Sequence, residues 1–208
     1  FGRQDVAAPG YEAAAAAARA QGFAAVERLA GGRAALFHEG TIAFARAYPD
    51  PEPPRRTYAR FEGMAGVVAR ALKRLGVAAR VGEVPGEYCP GAYSVNARGR
   101  TKLAGIGQRM IRGGAHVGGV LVAAGEGLVA DVLDPVYDAL GLDWDRRTSG
   151  SASAELGREV DPDELIEAML AELGASHELV PADVDEATAA LASELLPAAG
   201  EFDRGAVG

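Results

Sequence analysis

One helix constrains this chain more than any other feature. Between residues 57 and 75, Tyr58, Phe61, Met64, Val67, Val68, Ala71, Leu72 and Leu75 keep a 3.6-residue period, and Gly76 closes the run. An apolar stripe of that length needs a surface to lie on. Strand-like runs are spaced around it: Phe23 to Val26, Ala34 to Phe37, Thr41 to Ala45, Val77 to Val84 and Val117 to Ala123. Ala92 to Val95 alternates, turns through residues 96 to 99 and returns as Lys102 to Gly105, which predicts a hairpin. Strands and helices without regular βαβ alternation predict an α+β fold with a mixed sheet.

Further helices are predicted around Ala13 to Ala18, stopped by Gly22, and from the Asp161-Pro162-Asp163-Glu164 start with Leu165, Ile166, Met169, Leu170 and Leu173 as its apolar face. A last helix is predicted over Asp183 to Leu196. Pro135 breaks the run from Leu128 to Leu140, predicting a short helix or two turns. Pro49 to Pro54 reads as a rigid loop, and Asp145 to Gly157, rich in Ser, Gly and Arg, reads as a linker. The first residues, Phe1-Gly2-Arg3, read as the end of a strand without an initiator Met, so further sequence is expected before them.

Charge narrows the function. Twenty-one basic against 29 acidic residues give −8, which argues against a nucleic-acid partner. No apolar run approaches the ~18 residues of a membrane span, and no secretory leader is apparent, so no membrane association and a cytoplasmic location are expected. One cysteine excludes an internal disulfide, and His38, His116 and His177 lack metal-ligand spacing, so no metal site is expected. Neither a GxxxxGK[ST] loop nor a strand-to-helix GxGxxG is present.

Three features could carry chemistry. Gly31-Gly32-Arg33 lies between strand-like runs; paired glycines make tight turns, and they also let backbone N–H groups approach a ligand. Cys89 sits in Gly86-Glu87-Tyr88-Cys89-Pro90-Gly91, a loop sequence. A free cysteine packs as a small hydrophobe unless nearby cations raise its thiolate fraction. Lys102 opens a strand in which Gly105 and Gly107 indicate close backbone approach. Arg98, Arg100, Lys102, Arg109 and Arg112 have no acid among them, either a solvated hairpin or a positive stripe for an anionic ligand or acidic partner.

In order and spacing, Phe1-Gly2-Arg3, Glu27 to Ala34, Cys89, Lys102-Leu103-Ala104-Gly105 and Gln108-Arg109 resemble the biotin/lipoate protein ligase superfamily over about residues 1 to 140. The resemblance is nearest to the cysteine-dependent octanoyltransferase branch of its lipoate-protein ligase A and octanoyltransferase family. That family's loop reads Arg-Arg-x-(Ser/Thr)-Gly-Gly-(Gly/Arg); here Glu27 replaces the first Arg and Ala30 the hydroxyl residue. The resemblance implies the α+β catalytic domain shared with class II aminoacyl-tRNA synthetases, a mixed sheet with flanking helices. It places that domain at residues 1–150, truncated at its N-terminus, with a helical extension at 151–208 packed on the same domain.

The resemblance also implies roles. Cys89 and Lys102 become catalytic, and Arg28, Gly31, Gly32, Arg33, Ala34, Gly105, Gly107 and Gln108 bind substrate, with Ala34, Ala104 and Gly107 leaving room for a medium-length acyl chain. In the transferase reading Cys89 takes an octanoyl or lipoyl group from acyl carrier protein as a thioester, Lys102 steadies the thiol or the oxyanion, and a lysine of a lipoyl carrier domain accepts it. The carrier is glycine cleavage H protein or a 2-oxoacid dehydrogenase E2, and no cofactor is needed. The alternatives are an ATP- and Mg-dependent lipoate ligase working through lipoyl-AMP, and a non-catalytic acyl- or carrier-binding relative. A biotin ligase fits less well, since adenylation gives the cysteine no role.

Overall fold

The computed structural model describes residues 1–195. In chain order it contains α1 (Arg3–Val6), α2 (Tyr11–Ala20), β1 (Thr41–Pro49), a 3-10 turn (Pro53–Arg56), α3 (Thr57–Arg74), β2 (Ala79–Val81), β3 (Val95–Ala97), β4 (Thr101–Ile111) and β5 (Gly114–Val122). Then come α4 (Glu126–Leu140), a second 3-10 turn (Arg146–Thr148), α5 (Ala152–Leu156), α6 (Pro162–Gly174) and α7 (Glu186–Leu195). The strands form one sheet in the order β1-β5-β4-β3-β2.

The expected α+β architecture is present, but every ladder of the sheet is antiparallel rather than mixed. Among the described residues, parallel pairing is confined to one bridge between Lys102 and Ser149. Two of the four ladders, β3–β4 and β4–β5, are tight hairpins, which can join only antiparallel neighbours. Arg98 and Gly99 turn β3 into β4, and Gly113 turns β4 into β5, all at positive φ.

Helices cover both faces of the sheet. The stripe of α3 buries Val68 and Leu72 with Leu103, Leu121 and, from α6, Leu165. On the other face Val122 packs with Val129, Leu133 and Tyr137 of α4 and with the alanines of α2. Leu121 and Val122 enter different cores because successive strand residues point to opposite faces. Asp161 caps α6 with Glu164 reaching back, as its sequence predicts.

Several local expectations fail for identifiable reasons. Residues 23–26 and 34–37 belong to no strand of the sheet. Phe1 ends no strand of the sheet either: its nitrogen donates to the Val26 carbonyl at 2.8 Å and its carbonyl accepts from Arg28 N at 2.9 Å, and α1 follows. Pro135 does not break α4, which runs unbroken across it. The carbonyl it leaves unbonded, four residues back, belongs to exposed Asp131, where water can satisfy it.

The supposed linker is a packed seam. Residues 148–152 are buried, Gly150 N donates to the Lys102 carbonyl at 3.0 Å, and a Cβ on Gly150 would lie 2.6 Å from Thr101 Cβ. Its small residues reflect close approach rather than flexibility. Residues 174–194 are exposed, so α7 does not pack into the core as α6 does, and the expected helix end at Leu196 lies outside the described residues. Among the described residues no helix is long and apolar enough to cross a membrane.

Candidate active site

Beyond Ala104, β4 pairs with β5 alone, because β3 is only three residues long. The free edge of β4 from Gly105 to Ile111 therefore runs along a cavity of about 1030 Å³, also lined by residues 28–32 and 88–94. That is the upper end of the size of a small-molecule site, roughly 300–1,000 Å³. Phe61 of α3 and Tyr93 line it as a stacked pair, 5.0 Å between centroids and 6° between planes. The apolar stripe of α3 thus serves both core and cavity.

The glycine loop is built around Arg28. Its guanidinium donates to the Gly31 carbonyl at 3.2 and 3.4 Å and to the Arg33 carbonyl, pulling the loop into a tight arc. Gly32 has φ +102, and a Cβ there would lie 2.9 Å from Cys89 Sγ. The thiol therefore rests directly on the glycine that sequence reading singles out. Arg33 N donates to that sulfur at 3.1 Å, which favours negative charge on it.

Cys89 itself sits at φ +44, a conformation rare outside glycine. Its N–H donates to the Tyr137 hydroxyl at 2.7 Å, and that hydroxyl donates to the Ala34 carbonyl at 3.0 Å. Burial drives the Tyr137 hydroxyl well above the usual phenol range, so it stays a neutral hydrogen-bonding group.

Lys102 is 1% exposed, not the rim charge that a hairpin position suggests. Its ammonium donates to the Cys89 carbonyl at 2.7 Å, the Tyr88 carbonyl at 2.9 Å and Glu87 Oε1 at 3.4 Å. Burial holds it below the ordinary lysine range, with Cys89 and Glu87 pulling the other way. All three N–H donors are taken, so Lys102 binds the cysteine loop together rather than pointing at a substrate carbonyl. The longest bond, to Glu87, is the one that an oxyanion could replace. Glu87 is buried too, and also accepts from Ser94 Oγ and from the backbone N–H groups of Val84 and Gly91.

Of the residues expected to bind substrate, Arg28, Gly31, Gly32, Gly105, Gly107 and Gln108 line the cavity together with Cys89 and Lys102. Arg33 and Ala34 do not. The Arg33 side chain pairs with buried Asp5 at 3.3 Å, and Ala34 is buried in the α4 core. Past the glycine pair the chain alternates, with Ala34 and Leu36 buried and Ala35 and Phe37 facing the cavity. Ala104 likewise belongs to the core. Gln108 reaches the cavity but its amide is held by Arg60 Nε at 3.1 Å and the Thr57 carbonyl at 2.9 Å.

The positive stripe does not exist as one surface. Arg98 pairs with Glu155 at 3.8 Å at one end of β4, Lys102 is internal, and Arg109 lines the cavity near the other end. His116, opposite Arg109 in the register, also lines it. His38 accepts from Gly40 N at 3.1 Å, and His177 Nε2 lies 2.9 Å from Arg46 Nη2. Sequence reading missed Glu87 and Tyr137. An acid two residues before the loop cysteine is a signal for the first; nothing local marks the second.

The helix-backed antiparallel sheet is shared with solved lipoate-protein ligases. Lipoate-protein ligase A in its ATP-bound crystal structure superposes with a TM-score of 0.68 at 20% identity, over 86% of this chain and 70% of that one. A bipartite lipoate protein ligase from Thermoplasma acidophilum gives 0.66 at 18% identity, over 88% and 69%. The chain belongs to the lipoyl protein ligase A/B catalytic domain family, whose model matches residues 1–174.

Among curated relatives, the octanoyl-[GcvH]:protein N-octanoyltransferase of Geobacillus kaustophilus is 29% identical over 81% of this chain and 63% of its own length. Those of Anoxybacillus flavithermus and Bacillus velezensis are 35% and 30% identical, over 61% and 83% of this chain and 45% and 64% of their own lengths. The chain thus spans less than two thirds of each of these relatives.

Proposed function

We propose that this chain transfers an octanoyl or lipoyl group between proteins through a thioester on Cys89. The observation that carries the reading is the thiol itself, held on Gly32 in the cavity wall with the Arg33 N–H on its sulfur. The relatives' names put the octanoyl group on GcvH before transfer, so the donor here is an octanoyl-lysine amide of a lipoyl carrier rather than acyl carrier protein.

In the first half-reaction Cys89 sulfur attacks the amide carbonyl. The S–C bond forms, the C–N bond breaks, and the donor lysine leaves as an amine carrying the proton from the thiol. In the second, the neutral amine of an acceptor lysine, on a 2-oxoacid dehydrogenase E2 domain, attacks the thioester. The C–N bond forms, the thiolate leaves, and the surplus amine proton returns to it. Lys102 steadies the cysteine loop through both steps and offers its Glu87-bound N–H to the oxyanion. No ATP enters.

Intact-protein mass spectrometry tests this. Incubation with octanoyl-GcvH is expected to give a hydroxylamine-labile octanoyl adduct that Cys89→Ser lacks. Octanoyl-acyl carrier protein run in parallel tells the two donors apart. An adduct or transfer that appears only with ATP, lipoate and Mg identifies a ligase and overturns the reading.

A further inference from the structure

We infer that Tyr137 is a positioning residue for Cys89, locking the nucleophile's backbone to Ala34, the neighbour of the residue that holds its sulfur. The bonds form a closed circuit. Arg33 N donates to Cys89 Sγ at 3.1 Å. Cys89 N donates to the Tyr137 hydroxyl at 2.7 Å, and that hydroxyl donates to the carbonyl of Ala34, the residue after Arg33, at 3.0 Å. Nitrogen and sulfur of Cys89 are therefore tied to consecutive residues, one through Tyr137 and one directly.

The circuit matters because it ties both ends of Cys89, nitrogen and sulfur, to the glycine loop. The glycine loop and the cysteine loop lie 56 residues apart in sequence. A tyrosine that stays neutral by burial is suited to bridge them, since it accepts from one loop and donates to the other at any working pH. Its ring is held against Trp144, 5.6 Å between centroids, so the hydroxyl has little freedom to wander. Lys102 restrains the Cys89 carbonyl but not its nitrogen.

The inference rests on Cys89 as the nucleophile, and its test reads the thiol independently of any acyl transfer. Tyr137→Phe keeps the ring and removes the bridge. Alkylation of Cys89 by iodoacetamide near neutral pH is expected to slow about fivefold, the size of one hydrogen bond's contribution. Its pH profile moves to higher pH while the alkaline plateau stays. With octanoyl-GcvH as donor, kcat falls and KM holds. Tyr11→Phe, which loses a hydroxyl bonded to Glu27, leaves the alkylation profile unchanged. A superimposable profile in Tyr137→Phe overturns the inference. So does fast hydrogen exchange at the Cys89 amide of the unaltered protein, a measurement that needs no variant. A Cys89→Ser protein that still transfers octanoyl groups defeats the proposed function instead, leaving the alkylation result to stand by itself.

Discussion

Lys102 meets Cys89 through the backbone: its ammonium lies 2.7 Å from the Cys89 carbonyl oxygen, across thirteen residues of chain. With the Tyr88 carbonyl and Glu87 beside it, a buried cation closes the cysteine loop on itself. On the proposed function, stability and chemistry depend on the same side chain.

Lys102→Met should cost folding as well as transfer. It leaves the buried Glu87 carboxylate without its cation, a loss of about 3 kcal/mol or more. That corresponds to a fall in Tm of about 6–12 °C for a chain of this size. Adding Glu87→Gln should restore part of the Tm and none of the transfer. Calorimetry and octanoyl transfer on the two variants separate the effects, and a single variant that melts like the parent would contradict the buried pair.

The same cation gives a pH signature. Burial puts its pKa in the folded protein below the ordinary value of 10.5, so between the two the unfolded chain binds more protons. Stability must rise with pH across that window wherever Lys102 is the group titrating. Relative to Lys102→Met/Glu87→Gln, the parent protein should gain Tm as pH climbs toward 10.5. Transfer by the parent should fall over that same window as the cation is lost.

The two loop glycines should respond differently. Gly31 has open space where a Cβ would go, so Gly31→Ala should fold and transfer nearly as the parent does. At Gly32 a Cβ meets Cys89 Sγ at 2.9 Å and Arg28 Nη2 at 2.8 Å on a left-handed backbone. Gly32→Ala should lose about 1–3 kcal/mol. By displacing the thiol it should also lose on the order of 10² in rate. Paired melting and transfer assays decide this, and equal behaviour of the two alanines would contradict the contact.

Cys89 itself sits in a conformation that glycine adopts freely. Cys89→Gly should therefore be more stable than Cys89→Ala by about 1 kcal/mol. That is about 2–4 °C in Tm, and both variants should be inactive in transfer. An alanine variant as stable as the glycine one would argue against the left-handed backbone.

The sequence made α3, the α6 cap, the glycine loop, Cys89 and Lys102 legible because each depends on local periodicity, turn chemistry or a spacing in a known pattern. Other features depend on what lies across space. Residues 34–37 have strand composition but no partner strand. Ser149 to Ser151 look flexible in sequence and are pinned in the structure by a bridge to Lys102. Tyr137 reads as one more apolar helix position, and only the chain crossing beside it makes its hydroxyl count. Lys102 is legible as a residue and not as a role, since a strand lysine is ordinarily solvated.

An unpaired strand edge is adhesive, and β4 leaves one open from Gly105 to Ile111. The loops that carry Gly32 and Cys89 line the same cavity as that edge, so they stand between it and other copies of the chain. Changes that spread those loops should uncover a template for aggregation at the moment they spoil the chemistry. Pressure for solubility alone would then keep the loops in place, and precipitation in concentrated samples of loosened variants would be a symptom of the site rather than of the fold at large.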